Sequence, residues 1–387
     1  MGLNDGLNVR AEAMQSGGVY IHIPYCVSKC AYCDFYSVAA GGVPQRLVDA
    51  LIREIRMAAE RFGMRDVSTI YIGGGTPSLL VPVDLFKIAL AVRSEFNVAD
   101  DCEFTVEVNP GAVYQGILDI YNRIGVNRLS VGVQAGQDKL LEKLGRIHTW
   151  DDAEQTIRET HNAGINNISV DLIYAIPSQT LDDWKDSLKK VTDLNVQHVS
   201  CYELTLEPGT PMHKLYQHNP TDESAALAMQ SETQRILGES GILRYEISNY
   251  AKPNYTSRHN EGYWQRKPYI GFGPGAHSLI GNERLANPAN LEEWQGKIES
   301  GKPAWSVVET LTQSDEMFET MMLGLRMVRG VSLPAFRNSF GITPFDQWNS
   351  EMNSMRSAGW MNWDNDRVWL TALGLDVHND VCRRLMR

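Results

Sequence analysis

Three cysteines, Cys26, Cys30 and Cys33, fall within eight residues in the run YIHIPYCVSKCAYCDFYS that starts at Tyr20. Three thiolates are an odd number for disulfides and one short of the four protein ligands that close a structural zinc site. Thiolates are soft ligands, suited to zinc or to iron–sulfur clusters. As zinc ligands they need a fourth partner, His22, Asp34 or something distant, whereas zinc loops ordinarily use two separated pairs. As cluster ligands, spacings of three and two intervening residues let one loop put each sulfur on a different iron of a [4Fe-4S] cubane. One iron is then left open to a non-protein ligand. Cys102, Cys201 and Cys382 are scattered and read as packed cysteines.

Short β-branched runs alternate with helical patterns from Val19 onward. VYIHIP reads as a strand, and PQRLVDALIREIRMAAERFG as a helix with Pro44 near its start and Gly63 at its end. STIYIGGG, EFTVEVNPG, RLSVGVQ, NISVDLIYAIPSQ and HVSCYELTLEP read as further strands, making six βα-like units with apolar strands, as a sheet buried on both faces requires. Such alternation predicts parallel strands with right-handed crossovers and functional groups at their C-terminal ends. The polar residues fall there. Cys26 follows the first strand, Gly73, Gly74 and Gly75 end the second, and Glu107 ends the third. Gln134 ends the fourth, Asp171 lies in the fifth, and Glu203 is near the end of the sixth. One pocket at the top of an open or closed barrel is expected.

After Pro211 the alternation stops. A helix is expected over Asp222–Glu239, RYEISNYAKP as a strand and loop, and a Gly-, Pro- and aromatic-rich loop to about Pro288. From Asp315, helices at Glu316–Val328, Leu333–Ser339 and Phe345–Ser357 precede a hairpin, WMNWDNDRVWLT, and a last helix, LGLDVHNDVCRRLM. Four segments follow: a disordered leader over 1–17, the barrel over 18–215, a connecting region over 216–310, and a C-terminal, winged-helix-like domain over 311–387.

The 387 residues suffice for two or three domains. A net charge of −11 argues against a nucleic-acid-binding surface. No apolar run is long enough to span a bilayer, and no basic segment followed by an apolar block marks a secretory signal. Gly2 is not followed by Ser or Thr at position 6, which is Gly6, so myristoylation is not expected. A cytoplasmic, reducing compartment is expected, with any membrane association peripheral, at its inner face. Clustered cysteines there point to metal or redox chemistry before disulfides.

The Cys-x3-Cys-x2-Cys run after a strand resembles the radical S-adenosylmethionine (SAM) superfamily. The resemblance implies that the open iron binds the amino and carboxylate groups of SAM, and that cluster reduction cleaves SAM to methionine and a 5′-deoxyadenosyl radical. GGGTPS, Gly73–Ser78, matches the stretch beside the methionine amino group in that superfamily. Glu107, Gln134, Arg146 and Asp171 match its polar SAM-holding residues, and Tyr20, Tyr32, Gly73, Gly74, Gly75 and Thr76 fall at matching positions. IHIPYCVSKCAYCDF, LGRIH, DLIYAIP, YELTLEPGTP, YEISNYA and RHNEGYW…YIGFGPGAHS extend the resemblance over nearly the whole chain, to the oxygen-independent coproporphyrinogen III oxidase-like family. The implied fold is α/β, a partial (β/α)6 TIM-like radical SAM barrel with a C-terminal, mostly helical, winged-helix-like domain.

Two functions compete. The oxidase of this family converts two propionates of coproporphyrinogen III to vinyl groups, and carries a further cysteine two residues after the third. Phe35 stands there in this chain, and only about eighteen residues precede the first strand where the oxidase has a longer segment. His259, Asn260, Tyr263 and Trp264 match the HNxxYW motif of the family's haem-chaperone branch. An imidazole can ligate haem iron and aromatics can stack on the macrocycle. His277 is a second candidate ligand, and His148 and His161 read as structural or surface groups. The favoured expectation is a chaperone with a [4Fe-4S] cluster and SAM that carries haem as cargo to an acceptor, plausibly respiratory. An exposed cluster would suit a dimer.

Overall fold

The computed structural model describes residues 16–62, 66–218 and 221–386. The expected leader, but for its last two residues, and the helix stop at Gly63 lie outside the described residues. Six strands form the parallel core: β1 (Gly17–Ile23), β2 (Asp66–Gly74), β3 (Asn97–Val108), β4 (Arg128–Gln134), β5 (Asn167–Tyr174) and β6 (His198–Glu203). Each is hydrogen-bonded to the next in chain order, all parallel. Helices Gln45–Phe62, Pro82–Glu95, Gln115–Ile124, Trp150–Asn162 and Leu181–Asp193 make the crossovers. The last two open with capping boxes, Thr149/Asp152 and Thr180/Asp183, that satisfy their first amides.

The expected connecting loop is corrected by the structure. Residues after the barrel extend the sheet on both edges instead. Within the expected strand RYEISNYAKP, Asn249–Ala251 joins β6 antiparallel and Leu243–Arg244 pairs antiparallel with it, and Tyr269–Phe272 joins β1 parallel, with Val19 opposite Ile270. His277–Ile280, Glu283–Ala286 and Ser306–Thr310 follow antiparallel, completing twelve strands. The glycines that read as loop have a packing reason: a Cβ on Gly271 would lie 2.2 Å from the His277 carbonyl oxygen. The first strand therefore pairs with Tyr269–Phe272 on one side and β2 on the other, and the barrel stays open. The HNEGYW stretch, expected within the loop, is a helix, Arg258–Trp264, capped by Ser257.

The C-terminal domain has its own core of Met321, Phe336, Trp348, Met352, Met355, Val368 and neighbours. Its first helix runs Gln313–Gly324 rather than Glu316–Val328, because the Thr312/Asp315 capping box starts it earlier. The hairpin Met361–Trp363 and Arg367–Leu370 forms as expected and gains a third strand, Val331–Ser332. The expected last helix breaks at Val377 into Ala372–Asp376 and His378–Leu385. His378 at the break hydrogen-bonds the Met322 carbonyl at 2.9 Å, tying the break to the domain's first helix. No described helix is long and apolar enough to cross a membrane.

Candidate functional site

Side chains alternate across a strand, and here the alternation separates two chemistries. Ile70, Ile72, Val106, Leu129, Val131, Val133, Val170, Leu172 and Val199 pack outward in the core under the helices. Tyr71, Glu107, Arg128, Ser130, Gly132, Gln134, Asp171, Ser200 and Tyr202 point inward and line a cavity of about 610 Å³. The expectation of strands apolar on both faces is therefore wrong for the inner face. The barrel interior is polar because it is built to hold something.

The cysteine loop rims this cavity. Its base is fixed by Gly75 N–H to Ile23 O (2.8 Å) and Thr76 N–H to Tyr25 O (2.7 Å). A Cβ on Gly75 would come within 2.5 Å of the Tyr25 carbonyl oxygen, so only glycine lets β2 end against the loop. Ala31 at the loop's centre donates to Leu144 O and accepts from Met212 N–H, both at 2.9 Å. Cys26, Cys30 and Cys33 are free, half-buried thiols on one rim. Burial pushes the Cys33 thiol up, partly countered by the Phe35 backbone N–H. Among the described residues no three His, Cys, Asp or Glu side chains converge on a single ion. Three thiols spread along one rim, with a cavity behind them, fit a polynuclear cluster.

Below the rim, Arg146 donates to Asn109 Oδ1 (2.6 Å), the Gly132 carbonyl (2.8 Å) and Cys30 Sγ (3.4 Å). His148 receives the Arg146 Nε–H at 3.4 Å and bonds the Val133 carbonyl at 3.1 Å. Burial and the adjacent guanidinium push His148 down to about 4, so a neutral ring positions the arginine. Glu107 accepts from the Tyr71 hydroxyl (2.7 Å) and the Gly74 N–H (3.0 Å). Burial raises it to about 7, with Asp171 adding repulsion and Tyr71 opposing. Asp171 is also raised by burial, against hydroxyl bonds from Ser200 and Ser130.

Of the expected SAM positions, Tyr32, Gly74, Gly75, Thr76, Glu107, Gln134, Arg146 and Asp171 share the cavity wall. Gly73 and Tyr20 stand behind it: a Cβ on Gly73 would strike the Glu107 carboxyl at 2.8 Å, and the Tyr20 hydroxyl bonds His22 Nδ1 at 2.9 Å. Gln134 ends β4 with φ 69, a left-handed backbone on a non-glycine residue in the pocket wall. These carboxylates and this guanidinium fit the hydroxyls and the carboxylate of an amino-acid-bearing nucleoside.

The HNEGYW helix plugs the opposite end of the barrel. Glu103 accepts the backbone N–H groups of Arg258 and His259, both at 2.9 Å. His259 is 3% exposed. Its Nδ1 bonds Thr69 Oγ1 (2.8 Å), its Nε2 bonds the Tyr263 hydroxyl (2.8 Å), and its ring stacks on Tyr71 at 5.1 Å. Burial, then Arg128, pushes it down to about 3. Trp264 lies under the Arg326 guanidinium at 4.3 Å, against the C-terminal domain. Among the four motif residues, only Asn260 lines the large cavity. His277 is exposed at the start of its strand and stands outside that lining.

Sequence reading missed Asn109, Tyr71, Arg128, Ser130 and Tyr202. The period-2 polar row in RLSVGVQ, with Arg128, Ser130, Gly132 and Gln134 on one face, carried the signal.

The radical SAM superfamily profile matches residues 20–191, and the HemN C-terminal domain profile matches residues 311–377. The chain is 36% identical to "Heme chaperone HemW" of Bacillus subtilis over 94% of this chain and 97% of that one. It is 39% identical to the Escherichia coli protein of the same name, over 68% and 70%. It is 33% identical to the mouse "Radical S-adenosyl methionine domain-containing protein 1, mitochondrial", over 83% and 75%. The solved structure of E. coli coproporphyrinogen III oxidase (HemN) superposes with a TM-score of 0.85 at 22% identity, covering 96% of this chain and 90% of that one, a likeness of fold. With a thiol-rimmed, polar-walled barrel and matches of this extent, the chain belongs to the radical SAM superfamily and, within it, to the family of the HemW heme chaperones.

Proposed function

We propose that the chain is a haem chaperone: it carries a [4Fe-4S] cluster and SAM, takes up haem, and hands it to a haem-dependent acceptor, plausibly a respiratory protein. The observation that carries the reading is the 36% identity to a named heme chaperone along almost the full length of both chains. Cys26, Cys30 and Cys33 hold the cluster, which supplies a reducible centre with one open iron when bound. Arg146, held by Asn109 and the Gly132 carbonyl, faces the SAM carboxylate, and Glu107 and Asp171 face hydroxyls or the ammonium. Phe35, 70% exposed at the cavity mouth, puts an aromatic ring where the oxidase places a further cysteine, and offers a flat apolar contact.

The HNxxYW stretch is the proposed haem contact. Iron ligation by His259 requires Nε2 to exchange the Tyr263 hydroxyl for the metal, so haem uptake there involves a shift of the Arg258–Trp264 helix. Anaerobic reconstitution followed by an optical haem titration, with a parallel assay of coproporphyrinogen III turnover, tests the reading. One-to-one haem binding without protoporphyrinogen is expected, and robust turnover with SAM and reductant would refute it. A His259→Ala variant with an unchanged haem spectrum removes that ligand assignment while leaving the chaperone reading in place.

A further inference from the structure

Arg128 opens β4 and points into the deep end of the barrel cavity, below Ser130, Gly132 and Gln134 on the same inward row. It is 2% exposed, and among the described residues its buried Nε has no hydrogen-bond partner, although its charge reaches Glu107 and Asp171 and opposes the rise that burial gives both. A buried guanidinium without a partner is costly, and buried charges are ordinarily paired. The nearby acids are already engaged: Glu107 by Tyr71 and Gly74, Asp171 by Ser130. The second guanidinium of the cavity, Arg146, has four of its five N–H donors engaged and one Nη1 N–H left for a ligand. One cavity thus has a largely engaged guanidinium at its mouth and one with an unpartnered Nε at its depth.

We propose that Arg128, in the cavity that Asn260 also lines, receives one propionate carboxylate of the haem cargo. The inference rests on the haem-chaperone reading. An amino-acid-bearing nucleoside brings a single carboxylate, which Arg146 serves at the rim. An unpartnered Nε–H on the guanidinium at the other end calls for a second acid, and a planar guanidinium can meet a carboxylate in two parallel hydrogen bonds. Haem brings two such carboxylates on flexible arms. Asn260 belongs to the HNxxYW helix, so the same helix that bears the candidate iron contact also lines this cavity.

The test is an anaerobic optical titration of the cluster-loaded full chain with haem and with haem dimethyl ester, whose propionates are masked. The wild type is expected to prefer free haem by about tenfold to hundredfold, the range of a charge-assisted hydrogen-bonded pair. Arg128→Gln should lose that preference by weakening free haem alone, and Arg128→Lys should restore part of it. SAM affinity, read at the rim, should stay within about threefold, well under one hydrogen bond to a charged group. Equal affinity of the wild type for haem and its ester overturns the proposal without any variant. An undiminished preference in Arg128→Gln also overturns it, as does an equal loss of both ligands. Failure of the wild type to bind haem at all removes the chaperone reading and this inference with it.

Discussion

The two ends of the barrel treat their polar groups in opposite ways. At the rim, three thiols, two carboxylates and a guanidinium surround open space. At the floor, His259 spends both ring nitrogens on Thr69 and Tyr263 and is packed against Tyr71. The rim is preorganised for a ligand that is not protein; the motif helix at the floor is held by groups that satisfy each other, and Arg128 in the cavity wall beyond it keeps an unpartnered Nε. Buried polar groups are ordinarily hydrogen-bonded, so His259 and its helix are the ordinary case, and the rim and Arg128 are the exceptions. A motif histidine can therefore be part of the scaffold before it is anything else.

That contrast is easiest to break at the rim. Changing any one of Cys26, Cys30 or Cys33 to alanine should abolish the iron–sulfur absorbance after reconstitution, because in the proposed site each thiolate holds a different iron. The same variants should leave the unfolding midpoint of the metal-free chain nearly unchanged, since the thiols are half-exposed and free. Iron loading that survives any of the three substitutions would remove that cysteine from the ligand set.

The floor predicts the reverse. His259→Ala in metal-free, haem-free protein should lower unfolding stability by about 3 kcal/mol in urea titration, from a core void and two stranded hydroxyls. A loss below about 0.5 kcal/mol would mean the histidine is not integral to the floor and would erase the difference between the two ends.

How far the sequence shows this division depends on the range of each signal. The six parallel strands and the cysteine loop are local patterns, and both are legible. The triplet spacing and the strand-end polar residues point to the cavity wall before any coordinates. The inner polar row is legible only face by face: RLSVGVQ puts Leu129, Val131 and Val133 on one face and Arg128, Ser130 and Gln134 on the other. The state of His259 is not legible at all, since Thr69, which holds it, lies 190 residues away. The sheet extension failed for the same reason: Tyr269–Phe272 becomes a strand only because β1 offers an edge.

A smaller effect sharpens the rim further. Arg146→Ala should weaken SAM binding to cluster-loaded protein by about tenfold to hundredfold in equilibrium dialysis, the value of a hydrogen-bonded charge pair. Arg146→Lys should recover little, because lysine cannot span Asn109 Oδ1 and the Gly132 carbonyl as the planar fork does. His148→Phe should give an intermediate loss through misplacement of the arginine. Wild-type affinity in Arg146→Ala would take this residue out of the SAM site.

The smallest effect comes from outside the cavity, where Glu54 props the rim end of β1. This fully buried carboxyl accepts from the Gly273 N–H (2.8 Å), Asn287 Nδ2 (2.7 Å) and Trp294 Nε1 (3.1 Å). Gly273 in turn packs on the His22 carbonyl, where a Cβ would come within 2.5 Å. Burial raises Glu54 from 4.5 to about 7, and its three donors oppose the rise. Because the folded state holds the proton more tightly than the unfolded chain, its contribution to stability is fullest below 4.5 and is lost as pH rises through 7. Between pH 6 and pH 8 this single group should cost the fold about 1 kcal/mol. Urea midpoints of wild type and Glu54→Gln across that range isolate it, since glutamine cannot ionise. The variant should show a flatter pH dependence by that amount, whatever its stability at one pH. Parallel curves would mean that Glu54 is already ionised in the folded chain, and that the three hydrogen bonds outweigh burial in holding the charge.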